Sequence, residues 1–104
     1  MALVIFYVPC PDADEAKKLI THLLSDRLIA CGNIVESKSV YNWADSVVHE
    51  NEWIAIMKSL TELSGVLENS IKKIHPYKTP AILSWSVSCN AEYLEWVRQQ
   101  VLDV

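Results

Sequence analysis

Apolar positions recur along this chain in two rhythms, and together they predict seven elements. Leu3 to Val8 is a continuous apolar run, which reads as a strand buried on both faces, with Pro9-Cys10-Pro11 expected to end it. Asp12 then offers a helix cap, with Glu15 three residues on. Ala16, Leu19, Ile20, Leu23 and Leu24 follow at helical spacing, while Lys17, Lys18 and Asp26 lie off that stripe. Ile29 to Trp43 predicts a second strand with an irregular start at Cys31-Gly32-Asn33, and Ala44-Asp45-Ser46 predicts a turn into a third strand over Val47 to Ser59. These two form a hairpin with unusually long arms, whose distal half (Asn42, Asp45, His49, Glu50, Asn51, Glu52) is polar and should project from the core.

Thr61 is placed to cap a second helix facing inward through Leu63, Val66, Leu67, Ile71 and Ile74, weakened at Gly65. The residue before a proline is pushed out of the helical region, so this helix stops near Ile74 and cannot pass His75-Pro76. The connector His75-Pro76-Tyr77-Lys78-Thr79-Pro80 leads to a fourth strand over Ala81 to Val87. Asn90 can cap a last helix that carries Tyr93, Leu94, Trp96, Val97 and Val101. The order is βαββαβ followed by a C-terminal helix, the ferredoxin-like α+β pattern: a four-stranded antiparallel sheet with two helices on one face. Trp53, Met57, Trp85 and Val87 occupy alternating strand positions, so the uncovered face is expected to be apolar. Together with the projecting arms it predicts self-association.

The 104 residues suit a single domain over 1–104, and 51% hydrophobic content can fill one core. No apolar run is long enough to span a bilayer, and no basic region precedes the first apolar stretch, so neither membrane insertion nor a secretory signal is expected. Three cysteines without paired spacing predict reduced thiols in a cytoplasmic protein. With 9 basic and 13 acidic residues and no basic cluster, nothing builds a nucleic-acid footprint. Two glycines, Gly32 and Gly65, make no phosphate cradle.

Candidate chemistry is sparse. His22, His49, His75, Cys10, Cys31 and Cys89 form no pair at metal-ligand spacing. His22 reads as a surface residue of the first helix and His49 belongs to the polar hairpin; only His75 lies on a connector that can meet strand ends. Cys31 could meet His75 across the fold, but no third residue orients such a pair for catalysis, and the chain is read as non-enzymatic. Glu50 and Glu52 share a strand face, where charges on an exposed edge guard against unwanted pairing. The four tryptophans are read as core and interface residues.

Taken in order, these segments resemble the CutA family of divalent-cation tolerance proteins. The matching stretches are Asp26-Arg27-Leu28-Ile29-Ala30-Cys31-Gly32-Asn33-Ile34, Ser39-Val40-Tyr41-Asn42-Trp43, Met57-Lys58, the connector, and Asn90-Ala91-Glu92-Tyr93-Leu94-Glu95-Trp96. The resemblance implies a ferredoxin-like homotrimer related in architecture to PII signalling proteins, with the long arms extending sheets between subunits. It also implies a role in tolerance to copper and other divalent cations, with no obligatory cofactor.

Copper-binding members are credited with a first-strand cysteine and two histidines before the connector proline. The matching positions here are Val8, Ile74 and His75, so one ligand of three remains. The expected metal contacts are His75, which the resemblance retains, and Cys31, from the reading of the residues above. The alternative is a small-molecule sensor or protein-interaction scaffold. Its cleft would be lined by Tyr41, Trp43, Lys58, Tyr77 and Lys78 beside His75, a set of aromatic and cationic tips that suits an anion.

Overall fold

The structure, a computed structural model, describes residues 2–103; Met1 and Val104, the ends of the expected domain, lie outside the described residues. The elements are β1 (Leu3–Cys10), α1 (Ala13–Ser25), β2 (Cys31–Trp43), β3 (Ser46–Leu60), a 3-10 turn (Thr61–Leu63), α2 (Ser64–Ile74), β4 (Leu83–Val87) and α3 (Ala91–Gln100). The strands form one antiparallel sheet in the order β2-β3-β1-β4, which is the ferredoxin-like topology.

Strand β1 does not stop at Val8. It pairs with β3 through Pro9↔Ile54 and Cys10↔Trp53, whereas its pairing with β4 ends at Tyr7↔Leu83. Within a strand a residue's N–H and C=O point the same way, and the Pro9 carbonyl points to His75 rather than into the β3 ladder. The missing Pro9 N–H therefore falls on the side where the ladder has already ended, so proline is tolerated there.

Helix α1 begins as its sequence predicts, with Asp12 Oδ1 accepting the Glu15 N–H at 2.7 Å. Ala16, Leu19, Ile20 and Leu23 are buried, but Leu24 is exposed beyond the edge of the stripe. The start of β2 is regular, contrary to expectation, with Cys31↔Lys58 and Gly32↔Met57 in register. Gly32 serves packing instead: a Cβ there would lie 2.8 Å from three Ile20 side-chain atoms, so its absence lets α1 sit close on the sheet. The hairpin closes at Trp43↔Ser46 through Ala44 and Asp45, both at positive φ (50° and 65°), the left-handed pair of a two-residue type I′ turn.

Further expectations are corrected. Thr61 donates to Glu62 Oε1 rather than capping α2, and Val66 is exposed while Leu67 and Ile71 are fully buried. Asn90 stands at the start of α3, but its side chain donates to Glu92 rather than accepting a helix N–H. β4 starts at Leu83, two residues later than Ala81.

Another correction concerns the sheet faces. Strand alternation and register put Trp53 and Met57 on the same face as Val4, Phe6, Val8 and Cys10, beneath α1 and α2, and Met57 is fully buried there. The opposite face carries Ile5, Tyr7, Ile54, Ile56, Trp85 and Val87. One end of it is covered by α3, whose Val97 and Val101 pack with Leu3, Ala30, Leu60 and Leu63. The remainder is open, with Leu83 and Trp85 about half exposed. Beyond Glu52 the hairpin arm leaves the core altogether.

Candidate functional site

The connector between α2 and β4 crosses from one face of the sheet to the other. Helix α2 stops at Ile74; His75 closes it by donating its N–H to Ile71 O at 2.9 Å, then turns extended (φ −70°, ψ 138°) ahead of Pro76. The His75 ring is buried against the end of β1, and both its nitrogens are engaged. The Tyr77 N–H donates to Nδ1 at 3.0 Å, so the hydrogen sits on Nε2, which donates to Pro9 O at 2.8 Å. His75 thus takes over the carbonyl that β4 leaves unpaired. Cys10 Sγ lies 3.9 Å from Nε2, and the Tyr77 ring packs at 4.8 Å between centroids.

Cys10 and His75 lie in a cleft of about 200 Å³ between α1 and the connector, with Glu15, His22, Ile74 and Pro76 among its walls. Burial pushes the Cys10 thiol up to about 11, and Glu15, Asp12 and Glu52 add to the shift. These carboxylates disfavour a thiolate but attract a cation, which would displace the thiol proton on binding. For zinc, bond lengths near 2.3 Å to sulfur and 2.0 Å to nitrogen at a tetrahedral angle require about 3.5 Å between donors. The Cys10–His75 spacing lies close to that. It supplies two donors; among the described residues no group of three or more His, Cys, Asp or Glu side chains is positioned to hold a metal ion.

On the open face, Tyr77 OH donates to Glu52 Oε2 at 2.9 Å and Tyr41 OH donates to Glu50 Oε1 at 2.6 Å. Glu52 is only 8% exposed, so the Tyr77 bond replaces water that this carboxylate has lost. Desolvation, then the Glu52 bond, pushes the Tyr77 phenol well above its ordinary value, and the Glu50 bond pushes Tyr41 to about 12. Glu50 and Glu52 are therefore phenol acceptors, beyond the edge-guarding charges expected from sequence.

The expected His75–Cys31 meeting does not occur. Cys31 lies at the start of β2, where its Sγ is 3.3 Å from Tyr93 OH on α3. Cys10 pairs with Trp53 and Cys31 with Lys58, five positions apart on β3, or about 17 Å at ~3.4 Å per residue. Lys58 donates to Asn33 Oδ1 at 2.8 Å, well down the open face from Glu52. Trp43 is exposed at the base of the hairpin turn, and Lys78 is exposed with no hydrogen-bond or ion-pair partner among the described residues. Of the expected cleft residues, the fold brings Tyr41 and Tyr77 to neighbouring carboxylates and spreads Trp43 and Lys58 along the sheet. Sequence reasoning sets Cys10 aside as the partner of His75, because Pro9 is expected to end β1 ahead of it. The signal was the alternation Val4, Phe6, Val8, Cys10, which holds because β1 passes through Pro9.

Comparison with known proteins gives one consistent result. The family model described as CutA1 divalent ion tolerance protein matches residues 4–100. The divalent-cation tolerance protein CutA of Thermotoga maritima is 38% identical over 101 residues, covering 96% of this chain and 100% of that one. Its counterpart in Pyrococcus horikoshii is 36% identical, covering 94% and 97%. The crystal structure of Pyrococcus horikoshii CutA1 superposes with a TM-score of 0.94 at 35% identity, over 96% of this chain and 99% of that one. That of Oryza sativa CutA1 gives 0.95 at 29% identity, over 100% and 97%. With its ferredoxin-like fold and this match along nearly its whole length, the chain belongs to the CutA1 divalent ion tolerance family.

Proposed function

We propose that this chain is a single-domain, non-enzymatic homotrimer that responds to divalent cations by binding a borderline or soft ion, copper or zinc, at Cys10 and His75. The observation that carries the reading is the thiol–imidazole pair at 3.9 Å in a cleft that Glu15 and His22 also line. Sulfur and nitrogen donors suit copper and zinc better than calcium or magnesium. Cys10 takes the place expected for Cys31, whose neighbour is Tyr93. Two protein donors leave the remaining positions to water, which fits weak, exchangeable binding. The relatives are named for divalent-cation tolerance, which agrees with this role.

The trimer is supported by the open apolar face and by an arm whose Val40, Trp43 and Val47 are all more than 60% exposed. A cytoplasmic location is supported by three cysteines free of disulfides, although one solved relative, from Archaeoglobus fulgidus, is described as periplasmic. Isothermal titration with Cu²⁺ and Zn²⁺, comparing wild type with His75→Ala and Cys10→Ser, tests the site. Binding should weaken in both variants, and identical isotherms would remove this pair from the function. Sedimentation at low micromolar concentration should give the mass of three chains; a monomer would refute the assembly.

A second reading, a PII-like small-molecule sensor or interaction scaffold, is favoured by the paired Tyr41–Glu50 and Tyr77–Glu52 bonds on the open face. The two carboxylates turn its preference from an anion to a cationic ligand such as an amine. A thermal-shift screen of amines against nucleotides and metals separates the readings: stabilisation by an organic ligand and by no metal would favour the sensor.

A further inference from the structure

The two engaged nitrogens of His75 have a consequence for any ion in the cleft. Coordination through Nε2 requires the lone pair that its hydrogen now occupies, so the bond to Pro9 O must break. For the imidazole to stay neutral, the displaced proton must move to Nδ1. On Nδ1 it would face the Tyr77 N–H, two donors opposed, and that bond breaks too. Turning the ring over exchanges Nδ1 with Cδ2 and Nε2 with Cε1, which breaks both contacts as well. A neutral imidazole therefore cannot bind an ion and hold the connector in its present conformation.

Tyr77 is the residue that carries this change across the sheet. Its backbone is tied to His75 on the helix-covered side, and its hydroxyl is tied to Glu52 on the open side. Its ring packs directly on the imidazole. Glu52 is buried, with Tyr77 OH as its hydrogen-bond partner, so a shift of the connector leaves a desolvated carboxylate unsatisfied. Such a group must either regain water or find another donor, and both outcomes alter the charge offered on the open face.

We infer that the connector is a transmission element, in which cation binding at His75 releases Tyr77 from Glu52 and so re-sets the open face of the sheet. This rests on the cation reading of the Cys10–His75 cleft and adds its regulation: the ion is sensed on one face and reported on the other. Linkage makes the coupling reciprocal, so an alteration that removes the Tyr77–Glu52 bond in advance must strengthen cation binding.

Zinc alone serves as the probe, with the full chain. Tyr77→Phe keeps the ring contact with His75 and deletes only the hydroxyl. Calorimetry should show the variant binding Zn²⁺ about tenfold more tightly than wild type, the size expected for a hydrogen bond to a carboxylate that no longer has to be broken. In the wild-type protein, saturating Zn²⁺ should speed amide exchange at Tyr77 by at least about tenfold, a readout that does not depend on any variant folding. Equal affinities, or an unchanged Tyr77 exchange rate at saturation, overturn the coupling while leaving the cation site intact. No zinc binding by the wild-type chain overturns the cation reading and the coupling with it.

Discussion

Arg27 ties the turn after α1 to the end of α3, and its replacement gives a quantitative test of how α3 is held. The residue lies in the turn after α1 at φ 56°, in the left-handed region. From there its Nε donates to Gln100 O at 3.2 Å, and Nη2 donates to Gln99 O at 3.3 Å and Val101 O at 3.2 Å. These carbonyls at the end of α3 have no helical donor, and Arg27 caps them with a positive charge where the helix dipole favours one. The Leu102 N–H returns a bond to Arg27 O at 2.9 Å.

A hydrogen bond to a charged group contributes roughly 1.5–3 kcal/mol, but two of the three here are exposed to water, so Arg27→Ala should cost only about 2 kcal/mol in all. Arg27→Gly loses the same bonds but relieves the left-handed backbone by about 1 kcal/mol, so it should cost less than alanine. Arg27→Lys keeps the charge without the fork and should fall between wild type and alanine. Urea unfolding at one fixed protein concentration measures the order, and amide exchange in α3 shows whether that helix is the part released. An alanine variant within about 0.5 kcal/mol of wild type, or a glycine variant less stable than alanine, would refute the reasoning.

Other substitutions follow from packing and charge. Gly32→Ala should cost about 1–3 kcal/mol by forcing a methyl against Ile20, and much less in an Ile20→Ala background, where a double-mutant cycle should show at least about 1 kcal/mol of coupling. Gly65→Ala meets nothing within 4 Å in the first turn of α2, so it should raise stability by about 0.5–1 kcal/mol in urea melts. An alkylating reagent at pH 8 should modify exposed Cys89 well before buried Cys10, as mass spectrometry of digests would show. Because folding raises the Cys10 thiol from 9.0 to about 11, the folded state holds that proton more tightly than the unfolded state. The resulting stability is complete below pH 9 and is lost as pH rises toward 11, with Tyr41 and Tyr93, both raised to about 12, acting in the same direction. Urea midpoints that stay level from pH 9 to 11 would contradict this.

The sequence by itself determined the order of elements, because each rests on local signals. Asp12 with Glu15 starts α1, and the stripe Ala16, Leu19, Ile20, Leu23 faces it inward. Pro76 stops α2 at Ile74, and the polar distal arm announces its own exposure. The family was legible too, since its segments lie in sequence order.

Only the tertiary structure decided which side chains meet. Whether β1 passes Pro9 depends on where β4 stops pairing, a long-range fact, and it decides that Cys10 rather than Cys31 reaches His75. Which face Trp53 and Met57 take depends on register, where one residue of slip turns every side chain over. Tyr77 bonds to His75 two positions away and to Glu52 25 positions away, and no spacing rule contains the second bond. Local pattern sets backbone conformation residue by residue, whereas a site is made by residues that meet only after the sheet has closed.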